Sequence, residues 1–139
     1  MAENINSFFF NTTPRIIYGC NVSEDSGPFS NLIGKNVLLI TDKGITGLKL
    51  YESLITNLRK LGVTINIFDD VEADPSLKTL ERAISFGNET DASGIIGFGG
   101  GSSMDVAKLT ALILGSKENL EEAWGVGNAK GPRLPLILV

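Results

Sequence analysis

Histidine is absent from this 139-residue chain, and cysteine occurs once. Imidazole is the side chain that general-base catalysis near neutral pH and catalytic metal sites draw on first. Its absence predicts that any catalysis is finished by other sequence. The lone Cys20 has no internal disulfide partner, and without a Cys-x-x-Cys pair a thiolate zinc site lacks ligands. Cys20 reads as a small apolar filler, and a cytoplasmic setting fits. No apolar run reaches the roughly 18 residues of a membrane-spanning helix. The opening Met-Ala-Glu-Asn-Ile-Asn has neither the basic head nor the apolar core of a signal peptide. A surplus of positive charge is also lacking, with 12 Lys and Arg against 16 Asp and Glu for a net charge of −4. Nucleic-acid and anionic-membrane partners need the opposite field. Small-molecule chemistry in a soluble protein is the class left standing.

The composition, 42% hydrophobic and 20% charged, suits one compact domain, taken as residues 1–139. Short β-type runs at 8–10 and 15–18, separated by the turn residues Asn11-Thr-Thr-Pro14, predict an N-terminal hairpin. Its bulky apolar side chains (Phe8, Phe9, Phe10, Ile16, Ile17) predict a homodimer built by strand pairing. An irregular helix fits 21–33. The uninterrupted apolar run 37–41 predicts a strand covered on both faces, hence a parallel sheet. Leu50, Leu54, Leu58 and Leu61 then recur at helical spacing, with Gly62 as the stop. The alternation continues with a strand at 64–68, a helix at 76–86 (Leu77, Leu80 and Ile84 inward), a strand at 94–98 and a helix at 103–114. A short helix at 120–124 and a buried strand at 134–139 complete the pattern. The expected fold is α/β, an open, mostly parallel, doubly wound Rossmann-like sheet preceded by the hairpin. An apolar strand as the last segment predicts that the domain continues past residue 139.

The segment richest in chemistry runs from Ile95 to Lys108, a strand passing through Gly99, Gly100 and Gly101 into a helix. Glycines let backbone approach a bulky anion closely, and the helix start presents unpaired N–H groups and a positive dipole end. Gly99 to Ser102 therefore suits a diphosphate. The alternative is a plain hinge, with Ser102 as N-cap and Asp105 as its capping-box partner. Neither the GxGxxG nor the GxxxxGK[ST] fingerprint is present. Lys108 has an ordinary explanation as the i,i+3 ion-pair partner of Asp105. Asp42 ends the first main strand at the edge where open α/β sheets bind ligands. It suits the two hydroxyls of a ribose, or equally the capping of a following helix. The adjacent acids Asp69-Asp70 and Glu121-Glu122 diverge and read as solvated surface.

Gly99-Gly-Gly-Ser-Ser-Met-Asp-Val-Ala-Lys108 matches throughout the Gly-Gly-Gly-Ser-x-x-Asp-x-x-Lys pattern of the iron-containing (metal-dependent) alcohol dehydrogenase family, which the chain resembles. Thr41-Asp-Lys-Gly44, the Asp74-Pro75-Ser76 bend and the segment from Gly131 to Val139 match in the same order. The resemblance thus spans nearly the whole chain. It implies that Asp42 meets the adenosine ribose, Gly99, Gly100, Gly101 and Ser102 the pyrophosphate, and Asp105 the nicotinamide side. Asp74 also touches the cofactor by this reading, although relatives often carry Asn-Pro-Thr where this chain has Asp-Pro-Ser.

The activity implied is hydride transfer between an alcohol or aldehyde and NAD, with NADP as the alternative dinucleotide. A divalent metal, iron or zinc, would act as Lewis acid from a helical C-terminal domain that this chain lacks. No catalytic or metal-binding residue is assigned to residues 1–139, and the chain alone is expected to be inactive. Two other readings stay open: a sibling polyol or glycerol dehydrogenase or dehydroquinate synthase-like enzyme, and a non-catalytic nucleotide-sensing domain.

Overall fold

In the computed structural model, which describes residues 12–24 and 27–139, the apolar run after Lys35 becomes β1 (Asn36–Ile40). Its side chains alternate between two cores. Val37 and Leu39 join one cluster, Leu38 and Ile40 the other, and all four are fully buried. This two-sided burial is why the run has no polar alternation. β2 (Thr64–Phe68) pairs parallel to β1 on one side and β3 (Gly94–Gly97) on the other. β4 (Leu136–Leu138) pairs parallel to β3, giving the order β2-β1-β3-β4.

α1 (Gly27–Ile33) and α3 (Glu52–Lys60) contribute Ile33, Leu54, Ile55 and Leu58 to the cluster on one face. α4 (Leu77–Glu89) and α5 (Gly101–Ser116) contribute Leu80, Ala83, Val106, Ala107, Ala111 and Leu114 on the other. Pro28 is tolerated in α1 because it stands in the first turn, where its missing N–H has no intrahelical acceptor. α2 (Lys43–Leu48) and α6 (Leu120–Ala123) are short and bury no residue.

Several sequence expectations need correcting. Residues 8–10 lie outside the described part. Residues 15–18 form no strand, and Ile16, Ile17 and Tyr18 are exposed; a hairpin arm needs a paired neighbour, and the described residues supply none. In α3 the inward positions belong to Leu54, Ile55 and Leu58, with the N-cap Tyr51 also buried, while Leu50 and Leu61 fall outside the helix and are exposed. Leu77, at the first position of α4, is likewise exposed. Cys20 is exposed and fills no apolar gap.

The bend before α4 is held by Glu72. Its carboxylate accepts from the Ser76 backbone N–H at 3.0 Å and hydroxyl at 2.9 Å, and from the Thr79 hydroxyl at 2.6 Å. These bonds, the Thr79 one foremost, hold the Glu72 carboxyl down at about 2. Ser76 caps the helix through the Thr79 N–H. The start of α4 is therefore occupied by the chain's own side chains.

Candidate nucleotide-binding site

From β1 the chain passes outward to β2, then returns across β1 to β3. The turns leaving β1 and β3 consequently run to opposite faces, and a crevice opens between them at the carboxyl ends of the strands. Thr41 sits at its base, fully buried. Its N–H donates to the Phe68 carbonyl at 2.9 Å, its carbonyl accepts from Val71 at 3.4 Å, and its hydroxyl donates to the Phe98 carbonyl at 2.7 Å. The turns after β2 and β3 are thereby both tied to the end of β1.

Asp42 follows directly and caps α2, its Oδ1 accepting from the Ile45 N–H at 3.0 Å. The other oxygen faces the glycine turn: the buried Ser103 hydroxyl donates to Oδ2 at 3.4 Å, and a β-carbon on Gly99 would stand 3.3 Å from it. The capping role and a ligand role for Asp42 are compatible, since each uses a different oxygen. Thr41 and Ser103 are site residues that the sequence reasoning passed over. The signals were a hydroxyl closing an apolar strand and a second serine behind Ser102.

The three glycines differ in what they do. Gly99 has φ +137°, a conformation L side chains rarely adopt. Gly100 has an ordinary φ of −75° and caps α5 without a side chain. Gly101 is the first helical residue, and φ is not positive there. A β-carbon on either Gly100 or Gly101 would meet nothing within 4 Å. Neither packing nor backbone shape within the described residues requires glycine at these two positions. A ligand resting on the exposed start of the 16-residue α5 would supply such a requirement, because the N–H groups there have no side-chain cap and carry the positive end of the dipole. Ser102 is thus the second helical residue and not the N-cap, and it stands half-buried beside this surface.

The model of the family described as iron-containing alcohol dehydrogenase matches residues 13–139. The chain belongs to the iron-containing alcohol dehydrogenase family. Similar curated proteins include the sulfoacetaldehyde reductase of Bilophila wadsworthia, 25% identical over 134 residues that cover 96% of this chain and 35% of that protein. Another is long-chain-alcohol dehydrogenase 1 of Geobacillus thermodenitrificans, 32% identical over 108 residues, 76% of this chain and 27% of that protein. Among solved structures, a 1,3-propanediol oxidoreductase superposes with a TM-score of 0.79 at 26% identity over 86% of this chain and 32% of its own. An iron-containing alcohol dehydrogenase of Thermotoga maritima gives 0.73 at 29%, covering 83% and 32%. The chain therefore spans about a third or less of the length of the relatives it matches.

In this family member, Asp105 lies one turn inside α5 on the Gly101 side of the helix, and its carboxylate pairs with Lys108 at 3.0 Å. It forms no capping box. Asp74 is exposed at φ +52° on the loop between β2 and α4. Among the described residues it forms no hydrogen bond or ion pair with Asp42 or the glycine turn. Asp70, read from sequence as bare surface, is instead shared by two cations. Lys43 Nζ lies 3.0 Å from its Oδ1, and Arg82 pairs with its Oδ2. The hydrogen bond from Lys43 and the charge behind it hold the Asp70 carboxyl below the usual carboxylate range.

No group of three or more His, Cys, Asp or Glu side chains among the described residues could hold a metal ion. The metal of the family therefore has no fit to the residues described. No helix among them is long and apolar enough to cross a membrane.

Proposed function

We propose that this chain is the dinucleotide-binding domain of an NAD-dependent oxidoreductase that interconverts alcohols and aldehydes. The observation that carries this reading is the meeting of Asp42 with the Gly99 turn at the strand-order reversal, Oδ2 lying 3.3 Å from the position of a Gly99 β-carbon. When bound, the nicotinamide dinucleotide supplies the centre that accepts or donates hydride. The residues here bind and orient it. Gly99, Gly100, Gly101 and Ser102 receive the diphosphate on the α5 N–H groups. Asp42 Oδ2 accepts from the ribose hydroxyls, with Ser103 steadying the carboxylate. Asp105, leaning toward the start of α5, borders the nicotinamide half. Asp74 stands on the same carboxyl edge as a more distant contact.

Alcohol binding and the metal chemistry fall to sequence outside residues 1–139, which contain no histidine. The exposed Ile16, Ile17 and Tyr18 support a homodimer joined through the N-terminal segment, which light scattering of the intact protein decides: a strict monomer removes the idea. The single, unpaired Cys20 supports a cytoplasmic setting, which fractionation of the source cells tests.

Asp42 repels a ribose 2′-phosphate while accepting the 2′-hydroxyl, so NAD should bind more tightly than NADP. Asp42→Gly is expected to shift that ratio about tenfold toward NADP. Glycine is a competent N-cap, so α2 should persist. Calorimetric titration of both dinucleotides into wild type and variant checks this, and an unchanged ratio would falsify the role given to Asp42.

A further inference from the structure

The order of elements along the carboxyl edge fixes a direction. A diphosphate on α5 lies over β3, and a ribose on Asp42 lies over β1, so the next groups outward are those of the β2 turn. There Asp70 binds Lys43, the residue directly after Asp42, together with Arg82. Arg82 is restrained further by stacking on the Phe68 ring, 5.6 Å from its centroid. Phe68, Asp70, Arg82 and Phe86 line a concavity of about 590 Å³ on this side. Lys43 and Arg82 are side chains of the kind that recognise a nucleotide phosphate. Both are instead committed to one carboxylate.

We propose that Asp70 is a specificity-determining residue of this crevice: by holding Lys43 and Arg82 on the β2 side, it denies a ribose 2′-phosphate the cations that would offset Asp42. This deepens the nucleotide reading above and rests on it. Asp70 acts in two ways with the same sign. It fixes the Lys43 ammonium away from the ribose, and its own negative charge opposes a phosphate dianion placed nearby. Because the pairs are exposed, neither effect is large in water. The 2′-hydroxyl of NAD is neutral and is affected by neither.

The test titrates NAD and NADP into the full chain, wild type, Asp70→Asn and the double variant Asp70→Asn/Lys43→Ala, read as dissociation constants at low and high salt. Asp70→Asn is expected to tighten NADP about fivefold and to leave NAD within about twofold. Adding Lys43→Ala should remove most of the gain, and raising ionic strength toward 1 M should shrink it. Equal tightening of both dinucleotides, no change in either, or a gain that survives Lys43→Ala in full overturns the proposal. A wild-type chain that binds neither dinucleotide overturns the nucleotide reading itself, and this inference with it.

Discussion

Replacing Gly101 by valine is expected to abolish dinucleotide binding while leaving the fold in place. A β-carbon there meets nothing within 4 Å, and the residue opens α5, where valine costs no more helix stability than glycine does. The melting temperature should stay within a few degrees of wild type. The isopropyl group nevertheless projects beside the unpaired N–H groups on which the proposed diphosphate would rest. Affinity for NAD should fall by about a hundredfold or more, roughly 2.7 kcal/mol. Tryptophan or cofactor fluorescence during titration measures it. Wild-type affinity in this variant would place the diphosphate somewhere other than on α5.

Gly94→Ala should have the reverse profile, with collapse of stability and no direct contact with a ligand. The added methyl would stand 1.7 Å from the carbonyl oxygen of Ile33 and 2.8 Å from its carbon. Both are backbone atoms, and neither can swing aside as a side-chain end can. Gly94 also pairs with Val37 in the centre of the sheet. Relief requires moving the end of α1 or breaking the β1 to β3 ladder, at a cost of about 3 kcal/mol or more. Denaturant unfolding of Gly94→Ala beside Gly100→Ala provides the comparison, because the second substitution enters open space. Similar midpoints for the two would contradict the close approach of α1 to β3.

The sheet was legible in the sequence because its strands are apolar on both faces. β1, β2 and β3 fall within a residue of the runs that suggested them, and Gly62, at φ +80° after α3, ends the helix as expected. What the pattern hid has particular causes. α2 buries no residue, so hydrophobic spacing carries no trace of it. α4 was expected to stop at Phe86, yet it continues through Gly87. A β-carbon there would lie 2.5 Å from Leu114 Cδ1, so glycine here permits close contact with α5 and does not break the helix. The start of α5 was misplaced by two residues because a glycine N-cap leaves no side-chain signature. Leu50 and Leu61 share the spacing of Leu54 and Leu58 but fall just outside α3, where chain direction and not periodicity decides exposure.

For the site, the motif supplied Asp42 and the glycines, while the joining of the two was visible only in three dimensions. The Asp70 network was equally hidden. Lys43, Asp70 and Arg82 are separated in sequence and are brought together by the pairing of β1 with β2 and the return of α4.

The three bonds of Thr41 bear on how a ligand is met. Because its N–H and carbonyl bind the end of β2 and the turn after it, and its hydroxyl binds the turn after β3, the ends of β1, β2 and β3 cannot shift separately. The crevice is standing before anything enters it, with Asp42 and the Gly99 turn already at their mutual distance. A dinucleotide bound as proposed would have little polypeptide to order, so its association would be governed by diffusion and orientation and not by a slow closing of loops. Selectivity at this edge is then expressed in how fast each nucleotide leaves.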